Sequence, residues 1–186
     1  NACDGYQLQF RQVSELDSGE GKTALSDLRS TTWEAGNADA FRFNSENLVD
    51  DKRKDFVDGH AERMAKTVSV NLSKPKTKNF NVPEAAVFPT EHMRRIIAAA
   101  RAGQRVLDFP VYDGSESGEK IYNTLTVIGA AIGPGAKPPD DAAAKVPELA
   151  KLTRWPVTIS YFEQETSAQQ QKGEQTPVYT ISFELY

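Results

Sequence analysis

Along the first stretch of the chain Tyr6, Leu8 and Phe10 alternate with Gln7, Gln9 and Arg11. Successive side chains of an extended backbone point to opposite faces of a sheet, so this period of two predicts a strand over residues 5–14 with one buried and one wet face. A turn around Ser18, Gly19 and Gly21 leads into residues 22–34, rich in Thr, Ser and Leu and closing on Trp33. The two segments read as one long hairpin. Gly36 and Asn37 make the next turn, after which Phe41 and Phe43 alternate with Arg42 and Asn44, and further strand follows near residues 52–60. Val68, Val70 and Leu72 alternate with Ser69, Asn71 and Ser73 until Lys74-Pro75 breaks the pattern, and Phe80 with Val82 gives one short strand more.

The period then changes once. After Pro89, Thr90 is placed to accept hydrogen bonds from free amides, and Met93, Ile96, Ile97 and Ala100 fall on one helical face. Gly103 is the expected left-handed stop. Alternation returns with Leu107, Phe109 and Val111, turns at Asp113-Gly114 and resumes through residues 119–129, a pair of segments expected to form a hairpin. Residues 133–148, with Gly133, Pro134, Gly135, Pro138 and Pro139 at their start and a run of Ala and Asp, read as a flexible insertion loop with one helical turn near 147–152. Val157, Ile159 and Tyr161 mark the next strand, the polar stretch 164–175 a connection, and Tyr179, Ile181, Phe183 and Leu185 the last strand.

About ten strands, one helix near residues 90–102 and no repeated unit predict a mainly β domain over 1–186. Its antiparallel meander should curl or nearly close to limit exposed edges, with the helix covering part of it. A final strand that stops in mid-alternation, and a start just before Cys3, lead us to expect a piece of a longer protein, truncated at both ends.

Composition narrows the function classes. Apolar residues make up 39 % of the chain, with nine Phe, six Tyr and two Trp, enough to fold around a core. Lys and Arg number 22 against 26 Asp and Glu, a net charge of −4 without a basic tract, so nucleic acid is not an expected partner. The longest aliphatic stretch, Leu125 to Ile132, is short of the ~20 residues that span a bilayer, so the chain is expected not to cross a membrane. Cys3 is the single cysteine: a buried thiol, or half of a disulfide whose other half lies elsewhere.

Motifs that could carry chemistry weigh against catalysis. Ser18-Gly19-Glu20-Gly21-Lys22-Thr23 ends like a phosphate-binding loop, but Leu16 stands where that loop needs its first Gly, and a strand rather than a helix follows Lys22. No nucleotide is expected. His60, His92 and Cys3 lack metal-ligand spacing, so no metal is expected. His92, beside Glu91 in the first helical turn, is the histidine to consider as a general base, but the positive helix end disfavours its imidazolium and a polar contact at the helix entry is the simpler role. Arg94, Arg95 and Arg101 read as the helix's solvent face. Trp33, Phe41, Phe43, Phe109 and Tyr161 read as core, or as the lining of a groove if the sheet is open. No carboxylate pair stands out. Catalytic and cofactor residues are therefore expected to be none.

Four segments, Cys3-Asp4-Gly5-Tyr6, Leu28 through Glu34, Phe88-Pro89-Thr90-Glu91-His92 and Trp155 through Phe162, together with Phe109 to Glu116 and Gly173 to Tyr179, resemble the envelope integrity protein B family of alphaproteobacterial periplasmic proteins. The resemblance runs the length of the chain. It implies an exported protein built as a spiral or open barrel of antiparallel strands around a central helix. It also implies a disulfide in which Cys3 takes part, with its partner cysteine outside this sequence. On this footing the expected function is non-enzymatic support of the cell envelope from the periplasm, through binding of another envelope protein or lipid. A lipid or lipoprotein carrier is the alternative, and a peptidoglycan-related hydrolase using His92 a weaker one.

Overall fold

Sequential antiparallel hairpins carry the chain through ten strands and one α-helix in a computed structural model that describes residues 4–17, 19, 23–136, 146–164 and 176–186. The expected mainly β fold is found, as two antiparallel sheets that do not close. Strands β1 Gly5–Asp17, β2 Thr23–Ala35, β3 Ala40–Val49, β4 Lys52–Arg63, β5 Thr67–Lys74 and β6 Lys78–Pro83 form the first sheet in chain order. The helix α1 Pro89–Arg101 follows, and β7 Val106–Val111, β8 Tyr122–Ile128, β9 Trp155–Glu163 and β10 Tyr179–Leu185 form the second, again in chain order. Cys3, residues 137–145 of the expected insertion and 165–175 of the polar connection lie outside the described residues, as do most positions of the Gly-Lys-Thr turn.

The chain gathers into two compact units. The first holds the residues up to Glu91 together with Pro110–Ile121. Its register sets Thr32 against both Leu8 and Phe43, Gly59 against both Phe43 and Leu72, and Val70 against both Ala61 and Phe80. Directly paired residues share a face, so the alternating apolar positions of all six strands lie on one side. Over β3–β6 that side is a packed core of Phe41, Phe43, Val57, Ala61, Val68, Val70, Leu72 and Val82. Ala86, Phe88 and Tyr112, from the segments on either side of the helix, cap it. Phe41 stacks on Phe88 at 5.2 Å between centroids, and Tyr112 sets its ring edge against Phe41 and Phe43. The buried Tyr112 hydroxyl donates to the Gly118 carbonyl at 2.6 Å, which satisfies a group that would be costly to bury alone.

Arg63, at the end of β4, ties the same unit together. Its guanidinium donates to the carbonyls of Ala38, Glu84 and Ala86 and to the Glu91 carboxylate, and lies 5.3 Å over the Phe88 ring. A planar group with five donors is suited to holding several acceptors at once.

The second unit comprises His92–Phe109 and the residues from Tyr122 onward. Here Ile96, Ala99 and Ala100 of the helix pack on Ile128, Val157, Ile159 and Leu185, with Met93, Ile97, Leu107 and Trp155 around them. The predicted apolar helix face is thus the buried one, and Arg94, Arg95 and Arg101 are exposed as expected. Gly103 takes φ 76° after the last turn, a conformation that costs an L-residue and not glycine. Residues 107–111 and 119–129 do pair across adjacent strands, although the second begins only at Tyr122, the residues before it belonging to the first unit, where Tyr112 and Ile121 pack on the core. A single 3-10 turn occupies Leu149–Lys151, where a helical turn was expected.

Candidate functional site: an apolar groove on the six-stranded sheet

The apolar face of the first sheet is covered over β3–β6 and left open over β1 and β2. Leu8 is 62 % and Phe10 48 % exposed, although both point to the side that is core two strands away. Together with Leu28, Phe43 and Val57 they line a groove of about 850 Å³. Ser30 and Ser45, paired across β2 and β3, add hydroxyls to its floor, and residues 113–117 with Pro75 and Pro89 also line it. Gly114 makes this possible: at φ +68° it lies so close to Phe43 that an added Cβ would fall 2.4 Å from the ring. No side chain could occupy that place without displacing the ring.

The charges of the lining are unequal. The described lining holds Lys54 and three carboxylates, Asp55, Asp113 and Glu116, of which Glu116 pairs with Lys120 at 2.7 Å. Burial pushes the Asp113 carboxyl up from its ordinary pKa, against the pull of the Ser115 amide, which donates to it at 2.9 Å. The opposite face of the same strands is charge-compensated. Asp27 accepts from Arg11 and Arg29, which hold its carboxyl well below the usual range, and Glu46 pairs with Arg53 at 2.9 Å.

Trp33 belongs to that opposite face, where a second hollow of about 430 Å³ is lined by Arg42, Asn44, Asp58, His60 and Glu62. The Arg42 guanidinium lies 5.5 Å over the indole, so this ring is already engaged. Of the aromatic residues weighed in the sequence, Phe41 is core alone, whereas Phe43 serves both core and groove. Phe10 is the groove aromatic that alternation does not single out, because an uncovered strand reads the same as a covered one, whereas Phe56 pairs with Glu46 on the opposite face, where the Arg53 guanidinium lies 4.8 Å over its ring.

His92 is 2 % exposed. Its Nε2 lies 3.4 Å from the Thr124 hydroxyl and its ring meets Phe109 edge-on at 5.8 Å. Thr124 donates its proton to the Phe109 carbonyl at 3.0 Å, so Nε2 is placed to donate to Thr124 rather than to take a proton from it. Burial, and secondarily the charge of Arg95, lower the His92 pKa to about 4. This is the polar contact at the helix entry expected from the sequence, and His92 is not among the residues lining the groove.

The helix entry itself is built differently from the expectation that Thr90 would cap it. Glu34, at the end of β2 and 3 % exposed, accepts from the Thr90 amide through one carboxylate oxygen and from the Glu91 amide through the other, each at 2.7 Å. The first amides of a helix have no partner within it, and a carboxylate also suits the positive end of the helix dipole. Two of the segments that carry the family resemblance, Leu28–Glu34 and Phe88–His92, thereby meet through these bonds.

A model of the EipB-like family matches residues 1–186. The chain belongs to the EipB-like family. It is 34 % identical over its whole length to the cell envelope integrity protein EipB of Brucella abortus (strain 2308), and spans 63 % of that protein's length. Among solved structures, a beta-barrel-like protein of a domain of unknown function from Brucella abortus superposes with a TM-score of 0.84 at 32 % identity, over all of this chain and 72 % of the other. The resemblance read from the segments is thus borne out. No helix among the described residues is long and apolar enough to cross a membrane.

Proposed function

We propose that this chain is a non-enzymatic, periplasmic module of cell-envelope integrity that binds another envelope component in the groove over β1 and β2. Homology to a cell envelope integrity protein supports the setting. The observation that carries the binding role is the exposure of Leu8 and Phe10 on the face that forms core two strands away. Contiguous apolar surface of this kind is retained where something covers it. The non-enzymatic reading is supported by His92, buried against Thr124 and Phe109, and by a groove whose described lining residues include no His.

The test replaces the native gene with the Leu8→Asp, Phe10→Asp double variant and scores growth under detergent stress. A folded variant, verified by circular dichroism, should show the sensitivity of a deletion strain. Full complementation by the folded variant would remove the groove from the function.

A further inference from the structure

The groove has the dimensions of a small-molecule site rather than of a protein interface. Ligand pockets enclose roughly 300 to 1,000 Å³, and this one holds about 850 Å³. A folded partner would need roughly 800 Å² of complementary surface on each side, whereas this concavity runs across the sheet face beneath residues 113–117 and suits a flexible apolar chain. The charges at its wall select among such chains. Glu116 is compensated by Lys120, whereas no ion pair among the described residues engages Asp55 or Asp113. Against them stands Lys54, the one cation among the described lining residues, so the described wall carries a surplus of negative charge. Such a wall repels anionic headgroups and is complementary to an amine, while Lys54 offers a contact for a phosphate.

We propose that the groove takes one acyl chain of an aminolipid, the chain lying on Leu8, Phe10 and Leu28 and the headgroup amine set against Asp113. This deepens the envelope-binding reading above and rests on it. Occupation places apolar surface on Leu8 and Phe10 and gives the Asp113 carboxylate a cation, which no ion pair among the described residues supplies.

The experiment uses the delipidated full-length protein and two micellar probes of equal chain length, lysophosphatidylethanolamine and lysophosphatidylglycerol, with binding read by displacement of an environment-sensitive dye. The expected result is a preference of about tenfold for the amine-bearing lipid, the scale of one favourable charge contact at a partly desolvated site. Asp113→Asn should erase the preference, lowering affinity for the amine-bearing lipid and raising it for the anionic one, and Phe10→Asp should weaken both lipids. Equal binding of both by the wild type, or none of either, overturns the proposal. If neither lipid binds while the Leu8→Asp, Phe10→Asp strain is still detergent-sensitive, the groove serves a protein partner and the broader reading stands. If that strain is normal, the broader reading fails instead.

Discussion

Glu34 and Thr90 are 56 positions apart in the chain, yet the carboxylate of the first receives the amide of the second at 2.7 Å. With the Glu91 amide on its other oxygen, Glu34 satisfies two of the donors that α1 leaves free at its start. Hydrogen bonds to a charged group contribute about 1.5 to 3 kcal/mol each, offset by the cost of burying the carboxylate. Glu34→Ala should therefore lower stability by about 2 to 4 kcal/mol in urea unfolding, and Glu34→Gln, which keeps one acceptor, by roughly half as much. An alanine variant as stable as the wild type would mean that water caps the helix equally well.

Arg63 leads to a second expectation. Its guanidinium holds three carbonyls and a carboxylate around the Phe88 ring, and lysine can present neither the plane nor the five donors. Arg63→Lys should cost about 2 to 3 kcal/mol and Arg63→Met somewhat more, since both leave the half-buried carbonyls of Ala38 and Ala86 short of donors and methionine also removes the charge opposite Glu91. The two variants separate geometry from charge: equal stability of Arg63→Lys and wild type in chemical denaturation would assign the role to charge alone.

How far these features could be read beforehand depends on whether their partners are local. Val68, Val70 and Leu72 announced a strand because its period is written in neighbouring residues, and Met93, Ile96, Ile97 and Ala100 announced the helix face for the same reason. Glu34 looked like any strand-end acid, since its burial depends on where the helix start is brought, a matter of tertiary placement. Arg63 was equally silent. The groove fell between these cases: Leu8 and Phe10 were legible as one face of β1, but alternation says which side is apolar and not whether anything lies on it. Thr90 was misread because a local cap is the commoner solution and the sequence shows no sign of a remote one.

At Gly114 a single methyl group should be felt in both core and groove. The residue sits at φ +68°, where an L side chain is strained, and its missing Cβ leaves room for the Phe43 ring. Gly114→Ala combines the left-handed penalty of about 1 to 2 kcal/mol with an overpacking cost of about 1 to 3 kcal/mol. A loss of about 3 kcal/mol in thermal or urea unfolding is expected. Retained stability would require the 113–117 segment to lift away from Phe43, which a crystal structure of the variant would reveal.

His92 sets an acid limit to stability, and the sign follows from the direction of its shift. Burial, then Arg95, lower its pKa from 6.5 to about 4 in the folded chain. Between those values the unfolded chain binds the proton more readily, so stability falls with pH across that window. The contribution is fully present above pH 6.5 and is lost as pH falls through about 4, a total of about 3 kcal/mol. Other groups act in other windows. Asp58, lowered by bonds from Ser73 and Asn44, sheds its contribution only below the ordinary carboxyl range, whereas Glu34 and Asp113, raised by burial, oppose the trend by losing stability as pH rises through their own titrations. Comparison with His92→Gln, which can still donate to Thr124, cancels those terms. Wild type minus variant stability, from urea unfolding at pH 7 and pH 5, should shrink by about 2 kcal/mol towards acid. A difference that stays constant across this range would mean that the imidazole is protonated in the folded chain as readily as in the unfolded one, and that its burial against Phe109 and Thr124 does not govern its charge.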